Sequence, residues 1–274
     1  MTPTLRTVSV RTAGGRDLDV DLAFPEDGPG RHAGVVVVHE IFGVDAHVRD
    51  VARRFAAQGY VAAAPNLFTG EIQATLTPAN IARVMPALAS APPELRRNPT
   101  RFAEFAATQP EEFRPILAAF ARVSNPATQE GFALELRAVA EDLRHRPEVD
   151  PARIGSVGFC FGGAMSGRLA TVDPLLAAAV IFYGQNPPLA DVPRIRARVL
   201  GLYGAEDPGI TATVPELADA MAKAGVPFAS HVYPGARHAF FNDTRPNYDR
   251  ASAEDAWQRV LTFFSVALGP APSR

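Results

Sequence analysis

One seven-residue run, Val157-Gly158-Phe159-Cys160-Phe161-Gly162-Gly163, limits what this chain can fold into more than any other stretch. A short apolar run (Ile154, Val157) leads into it, and a helical pattern (Ala164 to Ala170) leaves it. The spacing Gly158-x-Cys160-x-Gly162 is that of a nucleophile elbow, where a strand turns at once into a helix. Side chains at the glycine positions would collide with the neighbouring strand or helix, and the residue at the tip sits in strained backbone. Serine is the usual residue at such a tip. Here it is a thiol, from the only cysteine among 274 residues.

An elbow of this kind needs a sheet around it, and the rest of the chain reads as one. Thr7 to Val10 and Leu18 to Phe24 alternate apolar and polar residues around Gly14-Gly15, which predicts a hairpin. Val35 to Val38, Tyr60 to Ala64, Arg153 to Gly158, Ala177 to Phe182, Arg198 to Tyr203 and Phe228 to Tyr233 read as further strands. Between them lie helical stripes: Val48, Val51, Ala52 and Phe55; then Phe132, Leu136, Val139 and Leu143; then a closing stripe of Ala253, Trp257, Val260, Leu261 and Phe264. Thr213-x-x-Glu216 reads as a capping box, with Gly225 as the helix stop. Such alternation predicts a mostly parallel central sheet with helices on both faces, in one α/β domain over 1–274. A proline-rich stretch at about 71–126 interrupts the rhythm and reads as a helical insert, either capping the sheet's carboxyl edge or packed to one side.

Composition excludes several partners. The formal charge is −2, so no excess points to nucleic acid or to a membrane surface. A single cysteine rules out an internal disulfide and a thiolate-rich metal site. Residues 1–10 lack the apolar core of a signal peptide, and no apolar run reaches the roughly 18 residues of a membrane span. The expected setting is cytoplasmic, which suits a free thiol, and the expected form is a monomer or homodimer without cofactor or metal.

In an open parallel sheet the reactive residues gather beyond the carboxyl ends of the strands. His39, Glu40, Ile41 and Phe42 follow the Val35–Val38 strand, Cys160 follows Arg153–Gly158, Glu206 and Asp207 follow Arg198–Tyr203, and His238 follows Phe228–Tyr233. Nucleophile, acid, histidine is the chain order of the α/β-hydrolase architecture. A free thiol needs a base nearby, which His238 can supply; Asp207 can orient the imidazole, with Glu206 as its competitor. Backbone N–H groups of Phe161, at a helix N-terminus, and of Ile41 suit an oxyanion. A lone cysteine is more often a small buried hydrophobe, but its glycine setting argues for a nucleophile. His39-Glu40 hints at a zinc motif, yet the second histidine would fall on Gly43. A dinucleotide loop at Gly158 fails because Cys160 replaces its middle glycine.

Five segments, taken together, resemble the dienelactone hydrolase family: His39-Glu40-Ile41-Phe42-Gly43-Val44, Ala64-Pro65-Asn66-Leu67, Gly158-Phe159-Cys160-Phe161-Gly162-Gly163, Tyr203-Gly204-Ala205-Glu206-Asp207 and His238-Ala239-Phe240. The resemblance implies a hydrolase of enol lactones or small esters with Cys160, Asp207 and His238 as its triad. It also implies that Glu40 contacts the resting thiol and swings away when substrate binds. Thioester or peptide hydrolysis on the same fold, and a ligand sensor with negligible turnover, are the alternatives. The arginines that hold a substrate carboxylate in the family are replaced here, at positions that correspond to Gly70 and Asn242. Arg245 lies nearby out of register, and the insert carries Arg83, Arg96, Arg97 and Arg101.

Overall fold

The computed structural model describes residues 3–26, 31–91 and 99–269; Arg96 and Arg97 lie outside the described residues. Two compact units emerge, Met1–Glu40 with Val44–Asn66 and Ala133–Arg274, and Ile41–Gly43 with Leu67–Phe132. The stretch expected as an insert falls within the second.

The first unit is built on eight strands: β1 (Leu5–Arg11), β2 (Asp17–Ala23), β3 (His32–Val38), β4 (Val61–Pro65), β5 (Val149–Phe159), β6 (Ala178–Phe182), β7 (Arg198–Gly204) and β8 (Phe228–Tyr233). Their order across the sheet is β1-β2-β4-β3-β5-β6-β7-β8. The β1–β2 and β2–β4 pairs are antiparallel, and all others are parallel. The hairpin predicted at Gly14-Gly15 joins β1 to β2, with Gly15 at φ +80°. Every residue of β3, β4 and β6 is buried, as expected of strands covered on both faces.

Alternation along β5 sorts the two faces. Gly155, Val157 and Phe159 point to a core shared with the helices Ala46–Ala57 and Arg250–Ala267, where Phe264 and Leu268 lie against Gly155. Ser156 points the other way and shares a 2.7 Å hydrogen bond with Ser166 of the helix Phe161–Val172. Phe159 is stacked with Phe182 (4.8 Å) and Phe241 (5.2 Å), pairs worth about 1 kcal/mol each beyond their burial. The core beneath the elbow is therefore aromatic and stiff.

Register places the strand ends level. Val38 lies opposite Gly158, so Glu40 and Cys160 each sit two residues beyond a matched pair. Phe159 lies opposite Phe182, which puts Tyr183 beside Cys160, and Gly204 lies opposite Tyr233.

The second unit contains the helices Gly70–Thr75, Pro78–Ser90, Pro99–Ala107 and Arg114–Ser124. Its short helices are punctuated by prolines. Pro78, Pro99 and Pro126 each open a helix, where the missing N–H costs nothing, and Pro86 lies inside one. Within this unit the Arg83 guanidinium lies over the Phe113 ring. One correction concerns the Thr213-x-x-Glu216 capping box. Thr213 has helical backbone, and its hydroxyl donates back to the Ile210 carbonyl, so it closes the preceding turn instead of capping Val214–Ala224. Gly225 does end that helix, at φ +68°. Among the described residues, no helix is long and apolar enough to cross a membrane.

Candidate active site

Cys160 occupies the tip of the elbow with φ +56° and ψ −114°, a conformation a non-glycine residue adopts only under restraint. Three close approaches supply that restraint. A Cβ on Gly158 would lie 1.9 Å from the Gly162 carbonyl oxygen, one on Gly162 would lie 2.2 Å from the Val38 carbonyl, and one on Gly163 would lie 2.5 Å from the Phe182 carbonyl. Cys160 is tied in by its own N–H, which donates to the Phe182 carbonyl at 3.0 Å. Phe161 is the first helical residue after it.

His238 arrives from the end of β8 through a turn at Gly235 (φ +75°). Its Nδ1 lies 2.5 Å from Asp207 Oδ2. Asp207 faces the imidazole with its carboxylate 15% exposed, whereas Glu206 points to solvent. Burial works against charge on the His238 ring, but the negative charge that Cys160 and Asp207 can carry and the hydrogen bond to Asp207 outweigh it and hold the imidazole well above its ordinary 6.5. The geometry brings together two of the side chains that the sequence singled out at strand ends, Asp207 and His238.

Glu40 is 3% exposed. Asn242 Nδ2 donates to its Oε2 at 2.7 Å, and the Tyr183 hydroxyl lies 3.4 Å from its Oε1. Burial pushes this carboxyl above its usual range; His47, Asn242, His238 and Arg245 pull it back. Tyr183 is itself fully buried, with φ +37° and its ring edge-on to His238 at 5.2 Å. Burial, then the charges of Glu40 and Cys160, push its hydroxyl well above 10, so it remains a neutral donor. His39 turns away from this chemistry. Its Nδ1 lies 2.6 Å from the Glu40 carbonyl, its ring stacks on Phe161, and burial lowers it to about 4.

Sequence reasoning missed two members. Tyr183 stands at the end of β6, and an aromatic residue after an apolar strand reads as core. Asn242 was read as the place of a lost arginine; it is fully buried and grips Glu40. Gly70, the other such place, has φ +56°, and nothing lies within 4 Å of a Cβ built on it. Of the two oxyanion donors expected, Phe161 heads its helix as predicted, and Ile41 follows Glu40 directly in the chain.

Residues 18–268 match the dienelactone hydrolase family. A carboxymethylenebutenolidase homologue of Saccharolobus solfataricus is 36% identical over 250 residues, covering 91% of this chain and 94% of the relative. One from Escherichia coli K12 is 32% identical over 253 residues, covering 88% and 80%. The crystal structure of a dienelactone hydrolase homologue from Klebsiella pneumoniae superposes with a TM-score of 0.70 at 30% identity, over 97% of this chain and 99% of that one. Because the match runs from β2 to the helix that closes the sheet, the chain belongs to the dienelactone hydrolase family, a family of hydrolases on the α/β-hydrolase fold.

Proposed function

We propose that the chain hydrolyses a lactone or small carboxylic ester with Cys160 as nucleophile, His238 as its base and Asp207 as the orienting acid. The observation that carries this reading is the glycine-locked elbow with Cys160 at its strained tip, supported by the 2.5 Å contact between His238 and Asp207. The Sγ thiolate attacks the carbonyl carbon, and the carbonyl π electrons move to oxygen, where the N–H groups of Phe161 and Ile41 receive the oxyanion. Collapse breaks the bond to the leaving oxygen, which takes its proton from the His238 imidazolium. Neutral His238 then removes a proton from water, which cleaves the thioester and releases the acid. Asp207, bonded to Nδ1, holds the fixed proton there and leaves Nε2 free to take the thiol proton and return it to the leaving group.

Glu40 gates the thiol on this reading. Asn242 and Tyr183 hold its carboxylate. The substrate is a small molecule without a required carboxylate, since Asn242 offers an amide already committed to Glu40 in place of a cation.

The test uses the chain's single thiol. Wild type is assayed on p-nitrophenyl acetate, an enol lactone and a thioester, then titrated with iodoacetamide. Hydrolysis of the oxygen ester or lactone should vanish in proportion to one carboxamidomethyl group per chain. Full labelling with activity retained would overturn the assignment.

A further inference from the structure

Glu40 is gripped from the segment after β8 by a side chain whose own orientation is set from the surface. That segment is anchored by Phe240 and Phe241, both buried, whose rings lie 5.0 Å from Tyr233 and 4.8 Å from Phe182. Asn242 follows them and is fully buried. Its N–H donates to the Ala239 carbonyl at 3.1 Å, and its carbonyl accepts from the Arg245 N–H at 3.0 Å, so its backbone is clamped on both sides. The amide then spans two neighbours. Oδ1 accepts from the Thr244 N–H at 3.0 Å and from Thr244 Oγ1 at 2.7 Å, while Nδ2 donates to Glu40 Oε2 at 2.7 Å. A backbone N–H can only donate, so the amide oxygen must face Thr244 and the NH2 group must face Glu40. Thr244 is exposed, whereas Glu40 is 3% exposed. A line of hydrogen bonds therefore runs from a surface hydroxyl to a buried carboxylate.

We propose that Asn242 is a positioning residue that fixes the Glu40 carboxylate, and that Thr244 sets it: by filling both lone pairs of Oδ1, the threonine leaves the amide only its donor face to offer Glu40. This rests on the reading of Glu40 as the gate of Cys160 and names what holds that gate. The hold is uneven. The amide bond to Oε2 is 2.7 Å, whereas the Tyr183 hydroxyl lies 3.4 Å from Oε1, so Asn242 is the stronger partner. The charge balance runs in the same direction, since burial pushes the Glu40 carboxyl up and the Asn242 hydrogen bond is one of the causes that pull it back. Among the described residues, the charged or titratable groups facing Glu40 are His47 from the helix Ala46–Ala57, Tyr183 from the end of β6, and His238 and Arg245 from the segment after β8. His39, its chain neighbour, turns its ring to the Glu40 carbonyl and to Phe161. Asp243, between Asn242 and Thr244, turns to Arg54 at 2.5 Å.

A buried carboxylate that loses a donor binds its proton at higher pH. The test is a carboxyl titration by NMR on protein carrying 13C-carboxyl glutamate, with Glu40→Gln identifying the signal. Asn242→Ala should raise the Glu40 midpoint by about one pH unit. The acid limb of kcat/KM should move with it, and should not move when Glu40→Gln is already present. Thr244→Val keeps the branched shape and the backbone N–H but removes the hydroxyl, and should raise the midpoint in the same direction by about half as much. Thr244→Ser restores the hydroxyl and should return the midpoint to the wild-type value. A threonine that only stabilised the turn would change the melting temperature without moving Glu40. A wild-type midpoint in Thr244→Val overturns the proposal, whether or not Asn242→Ala folds, and so does a wild-type midpoint in folded Asn242→Ala. The titration needs no turnover, so an enzyme whose hydrolysis proves independent of Cys160 would refute the proposed reaction without touching the hold on Glu40. A Cys160-dependent hydrolase with an unmoved Glu40 would refute the hold alone.

Discussion

Cys160→Ala should lower kcat/KM for p-nitrophenyl acetate by about 10⁴-fold, and Asp207→Asn should come close to it. On the proposed reaction, the alanine leaves the oxyanion donors in place but removes the atom that would form the covalent intermediate. Water must then attack directly, without the thioester that divides the reaction into two easier steps. Asp207→Asn acts through geometry. An amide at this position can present N–H to Nδ1, which turns the imidazole to the other tautomer and leaves the wrong nitrogen protonated toward Cys160. Both losses belong to one unit, so the double variant should be no worse than Cys160→Ala alone. Steady-state kinetics on the three proteins check this. An Asp207→Asn enzyme with wild-type kcat/KM would show that Glu206, or no acid at all, serves the histidine.

Gly158→Ala is expected to be the most damaging change to the fold. Its new methyl would lie 1.9 Å from the Gly162 carbonyl oxygen, which is backbone and cannot rotate away. The elbow would have to open, and with it the contact of Gly162 on the Val38 carbonyl and of Gly163 on the Phe182 carbonyl. Forced repacking at such a site costs about 4 kcal/mol or more, a large part of the 5–15 kcal/mol that ordinarily holds a domain together. A soluble product should melt about 10 °C or more below wild type. Gly131→Ala is the control. It lies in the helix Pro126–His145 with nothing within 4 Å of the added methyl, so it should be neutral or stabilising by about 1 kcal/mol. Thermal melts of both variants by circular dichroism make the measurement. Equal melting temperatures for Gly158→Ala and wild type would mean that the elbow is not as tightly closed as described.

Much of the fold was legible because its signals are local. The β-branched run at Val35–Val38 can only be satisfied between two covered faces, and it became a fully buried strand. The glycines around Cys160 report a close approach directly, since no other residue fits there. The site was legible wherever its residues follow strand ends in a chain order that chemistry restricts, as with Asp207 and His238. The choice between Glu206 and Asp207 was not, because alternation stops at the end of β7 and either side chain could have turned to the histidine. Tyr183 and Asn242 were hidden for a different reason. Each looks ordinary in its own segment, an aromatic residue after an apolar strand and an amide in a loop. Their roles come from Glu40, which lies more than a hundred residues from either. Thr213 shows the reverse error, a correct local motif overruled when the turn before it claimed the hydroxyl.

The central claim is that the bond to substrate forms at the sulfur of Cys160. Rapid quench of the wild-type protein during p-nitrophenyl acetate turnover, followed by intact-mass and peptide mass spectrometry, tests it most directly. An acetyl group on the peptide containing Cys160, appearing with the burst of p-nitrophenol and absent from Cys160→Ala, is the expected result. Turnover with no adduct on that peptide, or with an adduct on another residue that persists in Cys160→Ala, would contradict it.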